Sequence, residues 1–296
     1  MTTGAAIVTE GLGKSFGSVH ALQDLSLRVE PGEVFGFLGP NGAGKTTTIR
    51  LLLGLLAPSR GGATVLGERV RVGGGPWQAD VGYLPGEVAF WPSLTGRETL
   101  EYLARLTGRP PADRAALLDR LGLADDDLRR RVRTYSDGMK QKLGLVQALQ
   151  CRPRLALLDE PTKGLDPLVQ QTFYDVVAEA REHGTTVFVS SHVLSEVERL
   201  CDRVGMLRAG SLVFAGDVAQ LQRAQRRRVT AAFASDVDAS AFEHFGSVVA
   251  STPRQLTLLV AQSELPALVA RLGMLQLADL VVEAPSLEEA FLEHYR

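Results

Sequence analysis

In the first 85 residues the apolar runs are short, alternating or continuous, and broken by Gly and Pro. "AAIVTEGLGKSF" and "LQDLSLRVEPGEVFGFLG" read as strands and turns, with "GEVFGFLG" a buried strand. "KTTTIRLLLGLL" reads as a helix closed by "APSRGG". Residues 86–150 change character and read as mostly helical. "TGRETLEYLARLTGRPP" opens with Thr95 and Glu98 at capping-box spacing and closes at Gly108 before two prolines. "PADRAALLDRLG" is a second, short helix. In "GMKQKLGLVQALQ", Met139, Leu143, Val146 and Leu149 step along one helical face.

Residues 151–224 alternate again. "RLALLDEP" and "TTVFVSS" read as strands, "PLVQQTFYDVVAEAREHG" and "HVLSEVERLC" as helices, and "RVGMLRAGSLVFAG" as a hairpin turning at Ala209-Gly210. This alternation predicts a parallel sheet with covered faces. The charge run "RAQRRR" at 223–228 predicts a solvated linker. Beyond it the pattern β-α-β-β-α-β predicts a small α+β domain of ferredoxin-like type. "SLEEAFLEHY" predicts a last helix, capped by Ser286 with Glu289 three residues on. The expected fold class is α/β. A core domain spans 1–224 with a helical subdomain at about 86–150, and an accessory α+β domain spans 225–296.

Composition narrows the classes. The length of 296 residues suits about two domains, and 45% hydrophobic with 22% charged residues is an ordinary globular balance. A net charge of −2 supplies no basic field for nucleic acid or anionic lipid. Cys151 and Cys201 stand far apart, with neither a Cys-x-x-Cys nor clustered His, so a zinc site or disulfide framework is not expected. The N-terminal "MTTGAAIVTEGLGK" lacks the basic start and apolar stretch of a signal peptide. No apolar run approaches the roughly 20 residues a bilayer requires. The expectation is a soluble, cytoplasmic chain whose membrane role, if it has one, comes through a partner.

Three stretches carry chemistry. "GPNGAGKTT" fits G-x-x-x-x-G-K-[ST], follows a predicted strand and opens a predicted helix. In Gly39, Pro40, Asn41, Gly42, Ala43, Gly44, Lys45, Thr46 and Thr47, backbone N–H groups can wrap phosphates at a positive helix end. Lys45 is expected to reach the β- and γ-phosphates, and Thr46 to ligate Mg²⁺. "LALLDEP" ends an apolar strand on Asp159, at the sheet edge where open α/β sheets bind ligands. Asp159 is a second Mg²⁺ candidate, and Glu160 beside it a general base for an in-line water. His192 follows "TTVFVSS" and stands where it can bridge the γ-phosphate and that water.

Together "GPNGAGKTT", "YSDGMKQK", "LLDEP", "GLDP" and "SSH", in that order, resemble the nucleotide-binding subunit of an ATP-binding cassette (ABC) transporter, over about residues 5–220. The resemblance implies a P-loop NTPase core of ABC type, ATP and Mg²⁺ as cofactors, and ATP hydrolysis. It implies that Phe16 stacks on adenine, that Ser136 and Gly138 face the γ-phosphate of an ATP held by a second, identical subunit, and that Asp166 of "GLDP" reaches across that dimer. "LTGRETL", "YSDGMKQKL" and "PSLEEAFL" are similar to the bacterial branch that pairs with type-2 export permeases for drugs, sodium, polysaccharide or lipid. The implied partner is an integral-membrane permease on a separate chain, which would hold this subunit at the inner face of the cell membrane. No nucleic-acid partner is implied.

The rivals are a soluble ABC ATPase outside transport and a regulatory ATP-binding module. A single cassette with no heptad stretch opposes the first; intact Glu160 and His192 oppose the second. A guanine motif N-K-x-D is absent, which removes a GTPase. Three positions depart from the family pattern, one of them Met139, which stands where the signature has Gln. Gly86 stands where the family has a Gln that touches Mg²⁺ and the attacking water, with Glu87 or a water expected to substitute. Asp137 stands where the signature has Gly, before lysines that oppose the helix dipole. Phe90 and Trp91 are the expected permease-facing aromatics.

Overall fold

The computed structural model describes residues 4–219 and 227–283. The chain divides into two compact units, Met1–Gly216 and Asp217–Arg296. The first begins with β1 (Ile7–Phe16), β2 (Val19–Val29) and β3 (Val34–Leu38), followed by α1 (Lys45–Leu52), β4 (Arg60–Val65), β5 (Glu68–Arg69) and β6 (Val81–Leu84). Four helices come next: α2 (Gly96–Thr107), α3 (Arg114–Arg120), α4 (Asp125–Arg129) and α5 (Asp137–Leu149). Then β7 (Leu155–Asp159), α6 (Pro167–Glu182), β8 (Thr186–Ser191), α7 (Leu194–Leu200), β9 (Arg203–Arg208) and β10 (Ser211–Asp217) complete it.

Two sheets form. The order β2-β1-β4-β5 is antiparallel, and the larger sheet runs β10-β9-β3-β8-β7-β6. Its five strands from β9 to β6 pair in parallel. Alternate residues of β7 explain why its sequence is apolar throughout. Ala156 and Leu158 pack with Leu143 and Val146 of α5 and Phe173 and Val177 of α6. Leu155 and Leu157 face the other way, onto Phe35, Phe37, Phe188 and Ile49 of α1. Both faces are buried, so no polar alternation survives. Each such Leu contributes roughly 1.5–3 kcal/mol through burial. The Phe35 and Phe188 rings stack at 5.7 Å, tying β3 to β8.

The helical stretch forms where its signals stand. Thr95 Oγ1 accepts from Glu98 N at 3.2 Å, and Glu98 accepts from Thr95 N at 2.8 Å, closing the capping box of α2. Gly108 ends that helix with φ 67°, a left-handed turn suited to Gly.

The second unit contains β11 (Arg227–Phe233), β12 (Gly246–Thr252), β13 (Gln255–Val260), α8 (Leu265–Leu272) and β14 (Leu277–Glu283). Its antiparallel sheet has the order β12-β13-β11-β14, over a core of Val229, Phe233, Leu258, Phe242 and Leu268. Two expectations are corrected. The first helix of the β-α-β-β-α-β pattern is a single 3-10 turn, Ala239–Phe242. Phe242 and Phe245 mimic a helical period, but both bury into this small core at once. The charge run predicted as linker also overshoots, because Arg227 and Arg228 already pair with Val260 and Leu259. The final helix predicted over "SLEEAFLEHY" lies outside the described residues.

Candidate functional site

Four strands deliver the candidate residues to one edge of the large sheet. β3 runs into the Gly39–Thr47 loop, β6 into Gly86, β7 ends on Asp159, and β8 ends beside His192. The register is in step: Leu38 lies opposite Ser191, and Asp159 opposite Ser190. Residues more than 100 positions apart meet there because the parallel strands end together.

Within the loop, glycine is required by shape. A Cβ on Gly39 would stand 2.4 Å from Leu207 O, and one on Gly44, at φ 110°, 2.5 Å from Ala21 O. Pro40, Asn41 and Gly42 lie exposed at its crest, while Ala43 is buried. Lys45 is only 5% exposed. Its Nζ donates to Gly39 O at 2.7 Å and Pro40 O at 3.3 Å, and lies 3.7 Å from Glu160 Oε1. Burial lowers the Lys45 ammonium from its ordinary value of 10.5, while the charges of Glu160 and Asp159 work against that shift. Thr47 is half-buried beside it in the first turn of α1.

Thr46 Oγ1 donates to Asp159 Oδ2 at 2.7 Å. Asp159 Oδ1 accepts a short hydrogen bond from Ser190 Oγ. Glu160 is held with φ 49°, in the left-handed region. For a residue other than Gly this costs about 1–3 kcal/mol, and such positions cluster at active sites. Its N–H is shared between Ser190 O at 3.2 Å and Ser190 Oγ at 3.1 Å. Its carboxylate stands 3.2 Å from Nδ1 of the exposed His192. Two loops around it are tied by Glu196 of α7, which accepts from Thr162 Oγ1 at 2.6 Å and Ser191 Oγ at 2.7 Å. Tyr83 of β6 is pushed up by burial, with the Asp159 charge adding to the effect.

The remaining candidates are placed elsewhere. Phe16, 49% exposed, ends β1 with the Lys14 ammonium 4.9 Å from its ring centroid. Ser136 caps α5, its Oγ accepting from Met139 N at 3.2 Å. Asp137 pairs with Lys140 at 2.9 Å, so the charge at this helix start is balanced locally. A Cβ on Gly138 would stand 3.1 Å from Gly164 O. Neither Ser136 nor Gly138 hydrogen-bonds to the phosphate loop among the described residues. Asp166 caps α6, its Oδ1 accepting from Leu168 N and Val169 N, each at 3.1 Å. Phe90 packs against the core, whereas Trp91 is half exposed with Tyr102 edge-on at 5.2 Å.

Gly86 sits against the acid. A Cβ there would lie 3.1 Å from Asp159 Oδ2. Glu87 is exposed and makes no hydrogen bond to Thr46 or Asp159 among the described residues; it lines a cleft with Lys140, Gln141 and Lys163. Sequence reasoning missed Ser190 and Gln141. The serine pair before His192 was the one available signal for the former. Gln141 had none, because its partners are the carbonyls of Glu160 and Pro161, reached only through the fold. Both cysteines are free, and burial raises the Cys201 thiol. Among the described residues no three metal-ligating side chains cluster, and no helix is long and apolar enough to cross a membrane.

Comparison with known proteins places this geometry. The family model of the ABC transporter matches residues 22–163, and that of the EvrA-like ABC transporter, C-terminal domain, matches residues 225–283. An ABC transporter ATP-binding protein of Synechocystis is 40% identical over 208 residues, covering 69% of this chain but 58% of that protein. YhcH of Bacillus subtilis, an ABC transporter ATP-binding protein, is 34% identical over 276 residues, covering 92% of this chain and 90% of its own. The bacitracin transport ATP-binding protein BcrA of Bacillus licheniformis is 39% identical over 209 residues, covering 70% of this chain and 68% of its own. Among solved structures, an ATP-binding subunit of an ABC transporter superposes with a TM-score of 0.68 at 30% identity, covering 74% of this chain and 92% of that one.

Proposed function

The chain belongs to the ABC transporter ATP-binding family, and from that premise we propose that it binds and hydrolyses ATP as the motor subunit of an exporter. The observation that carries the reading is the convergence of Gly39–Thr47, Asp159, Glu160 and His192 on one sheet edge. The loop and the N-terminus of α1 hold the phosphates, and Lys45 turns from the Gly39 and Pro40 carbonyls to them. Glu160 accepts the proton of an in-line water, and His192 holds that carboxylate in place. The Thr46 hydroxyl and Asp159 carboxylate are hard oxygen donors 2.7 Å apart, a pair that fits Mg²⁺ with its remaining positions left to phosphate and water. Bound there, the ion would neutralise charge developing on the phosphates.

Two copies would assemble head to tail around two ATP, with Ser136 and Gly138 of each facing the other's γ-phosphate. Ser136 and Gly138 stand at the N-terminus of α5, an end that favours an anion, which supports that arrangement. The permease would be a separate chain at the inner face of the membrane, with half-exposed Trp91 and Tyr102 on the surface turned to it. Kinship with BcrA supports the exporter branch. The test is ATP turnover by the purified chain with Mg²⁺. Wild type should hydrolyse ATP and Lys45→Ala should neither bind nor hydrolyse it; a Lys45→Ala protein with wild-type turnover would overturn the assignment.

A further inference from the structure

Gln141 joins the helix that Ser136 caps to the backbone of Glu160. It lies on α5, five residues beyond Ser136, and is 6% exposed. Its Nε2 donates to Glu160 O at 3.2 Å and to Pro161 O at 2.9 Å. The Glu160 backbone is therefore gripped on both sides, by Ser190 at its N–H and by Gln141 at its carbonyl. That grip falls on a residue held at φ 49°, which local preference alone would not keep there.

We propose that Gln141 is a positioning residue that ties the general base of each chain to its own signature helix. The inference rests on the ATPase reading above. The N-terminal end of α5 carries Ser136 and Gly138, which in that reading serve the nucleotide of the partner copy. Leu143 and Val146 hold the helix in the core beyond Gln141. One helical turn, about 5.4 Å, separates the phosphate-facing end from the amide that grips Glu160. Docking of the partner's nucleotide thus reaches this chain's Glu160 through one buried side chain. The expected consequence is coupling between the two hydrolytic sites, carried by a physical link rather than by distance alone.

The test compares wild type with Gln141→Met and Gln141→Glu. Met keeps volume and loses both donors. Glu keeps the length but donates to the carbonyls only when protonated. Gln141→Met should lower kcat by about tenfold, the worth of a buried hydrogen bond. It should also bring the Hill coefficient for ATP toward one, with ATP affinity within about twofold of wild type. The activity of Gln141→Glu relative to wild type should rise as pH falls, while the corresponding ratio for Gln141→Met stays flat. A merely structural role would weaken ATP binding together with turnover and give no pH-dependent rescue. Unchanged kcat and Hill coefficient in Gln141→Met would overturn the proposal. If that variant does not fold, a pH-independent ratio for Gln141→Glu overturns it. A wild type that does not hydrolyse ATP would instead defeat the ATPase reading, a distinct outcome.

Discussion

Thr46 Oγ1 donates a 2.7 Å hydrogen bond to Asp159 Oδ2, joining the first turn of the loop helix to the end of a strand more than 100 residues later. In the proposed function these two oxygens share one cation. Removing either should raise the Mg²⁺ concentration for half-maximal turnover. Outer-shell partners alone are worth about 10–100-fold in metal affinity, so Thr46→Ala should cost at least about tenfold. A Mg²⁺ titration of ATPase activity reads it directly.

Lys45 gives a pH signature. Its folded-state value is lowered from 10.5 by burial, so between the lowered value and 10.5 the unfolded chain binds the extra proton. Stability of the nucleotide-free chain should therefore rise with pH across that window. Phosphate favours the charged ammonium, so ATP affinity should move the other way and fall as pH climbs toward 10.5. Lys45→Ala, which lacks the ammonium, should bind no ATP at any of these pH values. Denaturant unfolding of the nucleotide-free chain and ATP titrations, both at stepped alkaline pH, check the two statements.

Gly86 and Asp159 leave each other little room. A Cβ at 3.1 Å from Asp159 Oδ2 is tighter than an ordinary contact. Gly86→Ala and Gly86→Gln should both displace the carboxylate and weaken Mg²⁺-dependent turnover, although Gln is the family's usual residue. The crowding should cost about 1 kcal/mol of stability. Thermal unfolding with Mg²⁺-dependent kinetics separates the packing cost from the catalytic one.

Much of this was legible in the sequence, for identifiable reasons. "GPNGAGKTT" and "LALLDEP" are local motifs, and a strand buried on both faces must be apolar throughout, as Leu155–Leu158 are. The Thr95 capping box was legible because both of its hydrogen bonds are sequence-local. The 3-10 turn at Ala239–Phe242 was not, because the spacing of Phe242 and Phe245 suits a helix and a 3-10 turn alike, and both rings pack on the same small core. Ser190 and Gln141 escaped because each finds its partners across the fold. The question raised by lysines at the start of α5 has a local part to its answer, since Asp137 pairs with Lys140 at the surface.

The capping box offers a control away from the nucleotide. Thr95→Ala removes the acceptor for Glu98 N and should cost about 1 kcal/mol. The hydrogen bonds from Thr95 hold Glu98 below its ordinary 4.5, so their contribution is present at neutral pH and is lost as pH falls through that lowered value. Chemical denaturation at neutral and acid pH should show both proteins losing stability as Glu98 protonates, because the Thr95 backbone N–H bond to its carboxylate is common to both. The Thr95→Ala deficit should narrow at acid pH without vanishing, since the bond from Glu98 N to Thr95 Oγ1 does not titrate.

The central claim, that two copies close around ATP and that Glu160 ends the closed state by activating water, is tested most directly with Glu160→Gln. This change keeps the shape of the residue that stands 3.7 Å from Lys45 and removes its basicity. Light scattering after size exclusion should find that variant dimeric with ATP and Mg²⁺, monomeric without nucleotide, and unable to turn ATP over. A Glu160→Gln protein that binds ATP yet stays monomeric would contradict the account.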